Sequence, residues 1–163
     1  MEYGIAITDL ADYNNGVLRF KWIDVELIND IDDLQELITK FLGDHEEWFI
    51  SDYDNFPNLG EYPDLDDVMD IINILNDYDM GVIKAYRDIG FGDMDLLEDH
   101  YVGTYDSEEE YAWEFVESCG GYNDIPEHLQ YYFDIDSYTK DLFINDFHSA
   151  KTINHKVIVF RSC

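Results

Sequence analysis

Positive charge is scarce in this sequence: 9 Lys and Arg stand against 38 Asp and Glu, a formal net charge of -29. Such a surplus opposes direct binding to nucleic acid, because phosphates would meet carboxylates wherever they approached. Cysteine is nearly absent, and the two present, Cys119 and Cys163, cannot build a disulfide framework. No apolar run approaches the ~20 residues of a membrane span. The opening Met1-Glu2-Tyr3-Gly4 has no basic segment leading into an apolar one, so no secretory leader is expected. These absences together predict a soluble cytoplasmic protein without contact to a membrane.

Charge of one sign at this level often accompanies disorder. The remaining composition opposes that outcome, since 46% of residues are hydrophobic and 16% aromatic, with 13 Tyr, 10 Phe and 3 Trp. Burial of those rings, at roughly 25 cal/mol per Å², can offset the entropy of an ordered chain. The acids are spread along the chain and do not form a tail. From Asp24 to Asp79 there are 18 carboxylates and a single base, Lys40. From Asp88 to Thr139 there are 15 carboxylates and no Lys or Arg. Acids alternating with core residues predict a folded body coated in charge. At the ~1.7 Å per charge of duplex DNA, the net surplus corresponds to roughly 50 Å of helix axis.

Local patterns give an α+β reading. Tyr3–Leu10 and Val17–Asp24 read as strands joined by a turn at Asn14-Asn15-Gly16. Asn29 or Asp30 caps a helix from Ile31 to Leu42 that Gly43 ends, and Trp48–Tyr53 reads as a third strand. Pro57, Gly60 and Pro63 mark a boundary. Asp64 then caps a helix over Leu65–Asn76, with shorter helices over Gly81–Asp88 and Asp93–Asp99. Tyr101–Tyr105 reads as a strand. Ser107 with Glu110 forms a capping box for Glu108–Ser118. Tyr111, Phe115 and Cys119 share a helical face, which places Cys119 in the core. Pro126 suits the first position of a helix reaching Phe133. A further helix over Asp136–Phe143 and a strand over Lys156–Arg161 close the chain. Trp22, Trp48 and Trp113 read as core. These patterns divide the chain into an α+β unit over 1–60, a helical unit over 61–102 and an α+β unit over 103–163.

Signatures of chemistry are missing. Asp52/Asp54 and Asp77/Asp79 begin like calcium loops, but Pro57 and Val82 stand where such a loop needs glycine. The five His show neither HExxH nor the Cys spacing of a zinc site. Gly90-Phe91-Gly92-Asp93 lacks the lysine of a phosphate loop. The reading is therefore of a protein that is not an enzyme and uses no metal or other cofactor.

Four collinear segments carry a resemblance. They are Asp9-Leu10-Ala11-Asp12-Tyr13-Asn14-Asn15-Gly16 with Trp22-Ile23-Asp24, then Glu46-Glu47-Trp48-Phe49-Ile50-Ser51-Asp52-Tyr53-Asp54, then Gly103-Thr104-Tyr105-Asp106-Ser107-Glu108-Glu109-Glu110-Tyr111-Ala112. The fourth is Pro126-Glu127-His128-Leu129-Gln130-Tyr131-Tyr132-Phe133-Asp134 with Tyr138-Thr139-Lys140-Asp141-Leu142. Together they resemble the ArdA family of antirestriction proteins. The fourth is similar to the family's antirestriction motif, which usually ends Gly-Arg-Asp-Leu; Thr139 and Lys140 depart from it, and lysine keeps the charge without the bidentate geometry.

The resemblance implies an elongated chain of three small domains in series, forming a curved homodimer that mimics bent DNA and protects the DNA of mobile genetic elements. The partner it implies is the methyltransferase core of type I restriction–modification enzymes, built of specificity and modification subunits. An acidic decoy aimed at another defence complex, such as a CRISPR effector, is the alternative. Surface acids would replace phosphates: Asp32, Asp33, Glu36, Glu46, Glu47, Asp66, Asp67, Asp70, Asp77, Asp95, Glu98, Asp99, Glu108, Glu109, Glu114 and Glu117. Ile125, Pro126, Leu129, Tyr132, Phe133, Tyr138, Asp141 and Leu142 would form the motif and support a dimer interface.

Overall fold

The computed structural model describes residues 1–162, so Cys163 lies outside the described residues. The chain divides into two compact units, Met1–Lys84 and Ala85–Cys163. Each contains a three-stranded antiparallel sheet with helices, so the fold is α+β.

In the first unit the sheet has the order β2-β1-β3, with β1 at Gly4–Asp9, β2 at Phe20–Asp24 and β3 at Trp48–Asp54. Every residue of β1 is buried, as expected of a central strand covered on both faces. Between β1 and β2 the chain makes a helical turn, α1, over Leu10–Asn14. Asp9 caps α1 by accepting from the Asp12 amide at 3.0 Å. The expected turn follows it at Asn15-Gly16, with Gly16 at φ 77°, and β2 starts at Phe20, later than the expected Val17. Helix α2 spans Ile31–Leu42 as the sequence predicts. Asp30 caps it, accepting from the Asp33 amide at 2.8 Å, and Leu34, Ile38 and Leu42 recur every fourth residue on its buried face. Gly43 ends it at φ 66°, a conformation that disfavours side chains with a Cβ. Asp64 caps α3 at Leu65–Ile74, two residues shorter than its periodicity suggests. Helix α4 at Met80–Ile89 runs through the division between the units.

The second unit begins with a 3-10 turn at Met94–Leu96 and α5 at Leu97–His100. Its sheet has the order β4-β6-β5, with β4 at Tyr101–Tyr105, β5 at Phe147–Lys151 and β6 at Val157–Arg161. β6 is central, and Val157, Ile158, Val159 and Phe160 are all buried. Its alternating side chains serve two faces. Val157 and Val159 join Tyr111, Ala112, Leu142 and Phe147 in a core that includes α6 at Glu108–Ser118 and α8 at Ile135–Asn145. Phe160 packs instead on Tyr86, Phe91 and Tyr101.

Three sequence expectations fail here for local reasons. Cys119 is exposed, because α6 stops at Ser118 and Gly120-Gly121 turn the chain away at φ 124° and 89°. Pro126 precedes the first helical residue, and its helix, α7, covers only Glu127–Gln130. Trp22, Trp48 and Trp113 are half-buried, not core. Strand β5 was not expected at all.

Candidate interaction surface

Helix geometry sorts the acids by face. On α2, Asp32 and Glu36 lie one turn apart and exposed, opposite Leu34 and Ile38. Asp33 is half-buried and accepts from the backbone and side-chain N–H of Asn29 at 3.1 and 2.8 Å, which lowers its pKa. Glu46 and Glu47 are exposed just before β3, and Asp66, Asp67 and Asp70 are exposed on α3, with Asp77 exposed beyond it.

In the second unit Asp95, Glu98 and Asp99 are exposed around α5. Helix α6 carries the densest run. Glu109 is exposed and without a side-chain bond among the described residues, whereas its neighbours are engaged. Glu108 is half-buried and accepts from the Ser149 hydroxyl. Glu110 accepts from the Asp106 amide at 2.6 Å, one residue short of the expected capping-box partner, while Ser107 accepts from the Glu110 amide at 3.0 Å. Glu114 accepts from the Tyr105 hydroxyl at 3.1 Å, and Glu117 from the Tyr122 amide at 3.2 Å. Burial, reinforced by Glu114, raises the Tyr105 pKa to about 12. These bonds fix carboxylates in place without neutralising them.

Ion pairing leaves most of the charge uncompensated. Among the described residues, ion pairs engage Asp9, Asp12, Asp24 and Asp106. Asp32, Glu36, Glu46, Glu47, Asp66, Asp67, Asp77, Asp95, Glu98, Asp99 and Glu109 make no ion pair among the described residues.

The antirestriction-like segment splits into an inner and an outer half. Phe133 lies 5.8 Å from Trp113 and 5.8 Å from Tyr138, ring centre to ring centre, and Leu142 is buried. Ile125 is half-buried, and its carbonyl accepts from the Gln130 side chain at 3.0 Å. Pro126, Leu129, Tyr132 and Asp141 face outward, with Tyr132 76% exposed beside Tyr131 at 89%. Thr139 is buried and Lys140 exposed, so the two departures from the usual motif occupy different environments.

A charged cluster gathers around the buried Asp9. Asp9, 0% exposed, accepts from Arg19, from His45 Nδ1 at 2.7 Å and from the Asp12 amide. Arg19 also donates to the Phe41 and Leu42 carbonyls at 3.2 Å each, pairs with Asp12 at 2.6 Å, and stacks over the Phe41 ring. It thereby ties α1 to the end of α2. Asp9, Asp12 and His45 have the spacing of a metal-ligand set, but Arg19 already supplies the cation at that point. No sequence signal marks the cluster, since its members lie up to 36 residues apart.

Burial alone would raise the Asp9 pKa. The Asp12 amide, His45 and Arg19 outweigh it and bring the value from 3.8 down to about 2. A depressed carboxyl contributes stability that is present above its unfolded value and disappears as pH falls through the folded one. The melting temperature of the native protein should therefore exceed that of Asp9→Asn at neutral pH, with the gap closing between about pH 4 and pH 2. A gap of constant size across that range would rule out the assignment.

The antirestriction protein family ArdA matches residues 5–154 of the chain. The chain belongs to the ArdA family. Membership makes it an antirestriction protein and implies an interaction with restriction enzymes. No curated protein matches the chain. The family match covers all four segments singled out above, including the motif with Thr139 and Lys140. Among the described residues, no helix of this ArdA protein is long and apolar enough to cross a membrane.

Proposed function

We propose that this ArdA protein acts as a DNA mimic: it occupies the DNA-binding cleft of a type I restriction–modification methyltransferase and so protects incoming DNA. The observation that carries this reading is the run of unneutralised carboxylates on α6, four of them held by hydrogen bonds. On α6, five glutamates fall between Glu108 and Glu117. At 1.5 Å per residue that interval spans roughly 14 Å. One strand of B-form DNA carries about four phosphates over the same length, at ~3.4 Å each. A partner that reads a phosphate strand meets a comparable linear charge density on this helix, and Asp32, Glu36, Asp66 and Asp67 extend the same chemistry in the first unit.

In this reading the protein is an inhibitor and not an enzyme, and it works in the cytoplasm of a host cell. The motif residues play two parts. Phe133, Tyr138 and Leu142 support the fold, while Leu129 and Tyr132 contribute apolar surface to a homodimer, the kind of exposed patch that marks an interface. The serial domains 1–60, 61–102 and 103–163 would each present part of the mimic surface.

Competition decides the mechanism. Increasing protein should displace labelled duplex DNA from a purified methyltransferase core, with the two ligands mutually exclusive. An enzyme that holds both ligands at once would refute mimicry. Failure to bind the core at all would remove the type I enzyme as target.

A further inference from the structure

Two tyrosines of the first unit interrupt the acidic coat with exposed aromatic rings. Tyr13 on α1 is 54% exposed and Tyr62 is 66% exposed. Both pack on Phe49 of β3, which is 8% exposed. The Tyr13 ring meets Phe49 edge-on at 5.4 Å and 73°, and the Tyr62 ring lies tilted at 6.2 Å from it. Phe49 is thus the shared ring contact of the two exposed tyrosines. Backbone hydrogen bonds bring the main chain of an exposed glutamate to the segments that carry these rings. The Leu10 amide donates to the Glu47 carbonyl at 3.0 Å, at the start of the helix bearing Tyr13. The Ile50 amide donates to the Glu61 carbonyl at 2.8 Å, adjoining Tyr62. Both glutamates are exposed, and neither makes an ion pair among the described residues.

Exposed rings on an ordinary surface have no assigned partner. Here the charge selects one. A net charge of -29 draws cations, and among them a guanidinium can pair with carboxylates while lying flat on aromatic faces. Lysine's ammonium is more strongly hydrated and lacks the planar face. The geometry points to a seat for an arginine side chain of the protein partner, formed by Tyr13 and Tyr62 over Phe49, with Glu47 and Glu61 providing the counter-charge. This inference rests on the DNA-mimic reading and refines it: the carboxylates would match the phosphates that arginines grip, and the rings would take the guanidinium faces.

The test has two arms. In the first, binding of the methyltransferase core is compared for the native protein, Tyr13→Leu with Tyr62→Leu, and Tyr13→Phe with Tyr62→Phe. Each exposed ring is worth about 2- to 5-fold in affinity, so the double leucine variant should bind roughly 4- to 25-fold more weakly. The phenylalanine variant keeps both rings and should bind within about 2-fold of native. In the second arm, tetra-arginine and tetra-lysine peptides are titrated into the native protein and ring-proton shifts are followed by NMR. Tetra-arginine should move the Tyr13 and Tyr62 resonances well beyond the shift caused by tetra-lysine. Leucine variants that bind like native, phenylalanine variants as weak as the leucine ones, or equal shifts with both peptides would each overturn the seat. Should the protein fail to displace DNA from the core, mimicry itself fails, and the peptide arm still decides whether the rings select arginine.

Discussion

Replacing Phe160 with alanine should cost about 3–5 kcal/mol, the usual penalty for emptying a large aromatic site in a core. Phe160 is 0% exposed on the central strand β6 and touches Tyr86, Phe91 and Tyr101 at ring-centre distances of 5.6, 6.5 and 6.0 Å. Three surrounding rings are too rigid to collapse into the space. A domain has only about 5–15 kcal/mol of net stability, so one such loss removes much of it. The charged coat adds self-repulsion to whatever margin remains. Urea unfolding followed by circular dichroism checks the value; a loss under about 1 kcal/mol would mean that the site relaxes around the smaller side chain.

Raising NaCl from 50 to 200 mM should weaken binding to the methyltransferase core by two to three orders of magnitude. Counterion release from a single strand contributes about 0.7 ions per contact, so six cation contacts give a slope near -4 on logarithmic axes. A fourfold rise in salt then costs roughly 300-fold in affinity. The salt effect arises from carboxylates that the protein leaves uncompensated: Asp32, Glu36, Asp66 and Glu109 are exposed and make no ion pair among the described residues. Fluorescence anisotropy at four salt concentrations gives the slope directly. A slope near zero would mean that apolar contacts, such as those open to Leu129 and Tyr132, dominate the complex. Neutralising Asp32, Glu36, Asp66 and Asp67 together should flatten the slope, even where the fold is untouched.

The parts of this fold that were legible in the sequence are those with a complete local signal. Helix α2 combines a capping aspartate, a fourfold apolar spacing and a terminal glycine, and its bounds agree with the expectation residue for residue. Strand β5 has no such signal. His148, Ser149, Ala150 and Lys151 neither alternate nor favour extended structure, and they form a strand because β6 offers its edge, with Phe147 opposite Arg161 and Lys151 opposite Val157. Cys119 was misplaced by carrying the spacing of Tyr111 and Phe115 past the end of their helix.

The candidate surface divides in the same way. That the acids lie outside follows from composition. Which of them are engaged does not, because Glu108 meets Ser149 across 41 residues. Arg19 stood out only as one of few bases, and its place against Asp9 and the end of α2 is a tertiary outcome.

The helix caps bear on how this sequence can change over time. Asp30, Asp64 and Asp134, all exposed, each accept a backbone hydrogen bond at the start of a helix, so they hold the fold and contribute to the field at once. Asparagine at these places would preserve the cap and delete the charge; glutamate would preserve the charge and lose the short reach that a cap needs. Acids elsewhere on the surface face neither restriction, since a neighbour one turn away can supply the same negative potential. Selection can thus let most of the coat drift from position to position while the capping aspartates stay put, and two proteins of this kind can present equivalent fields with few aligned acids in common.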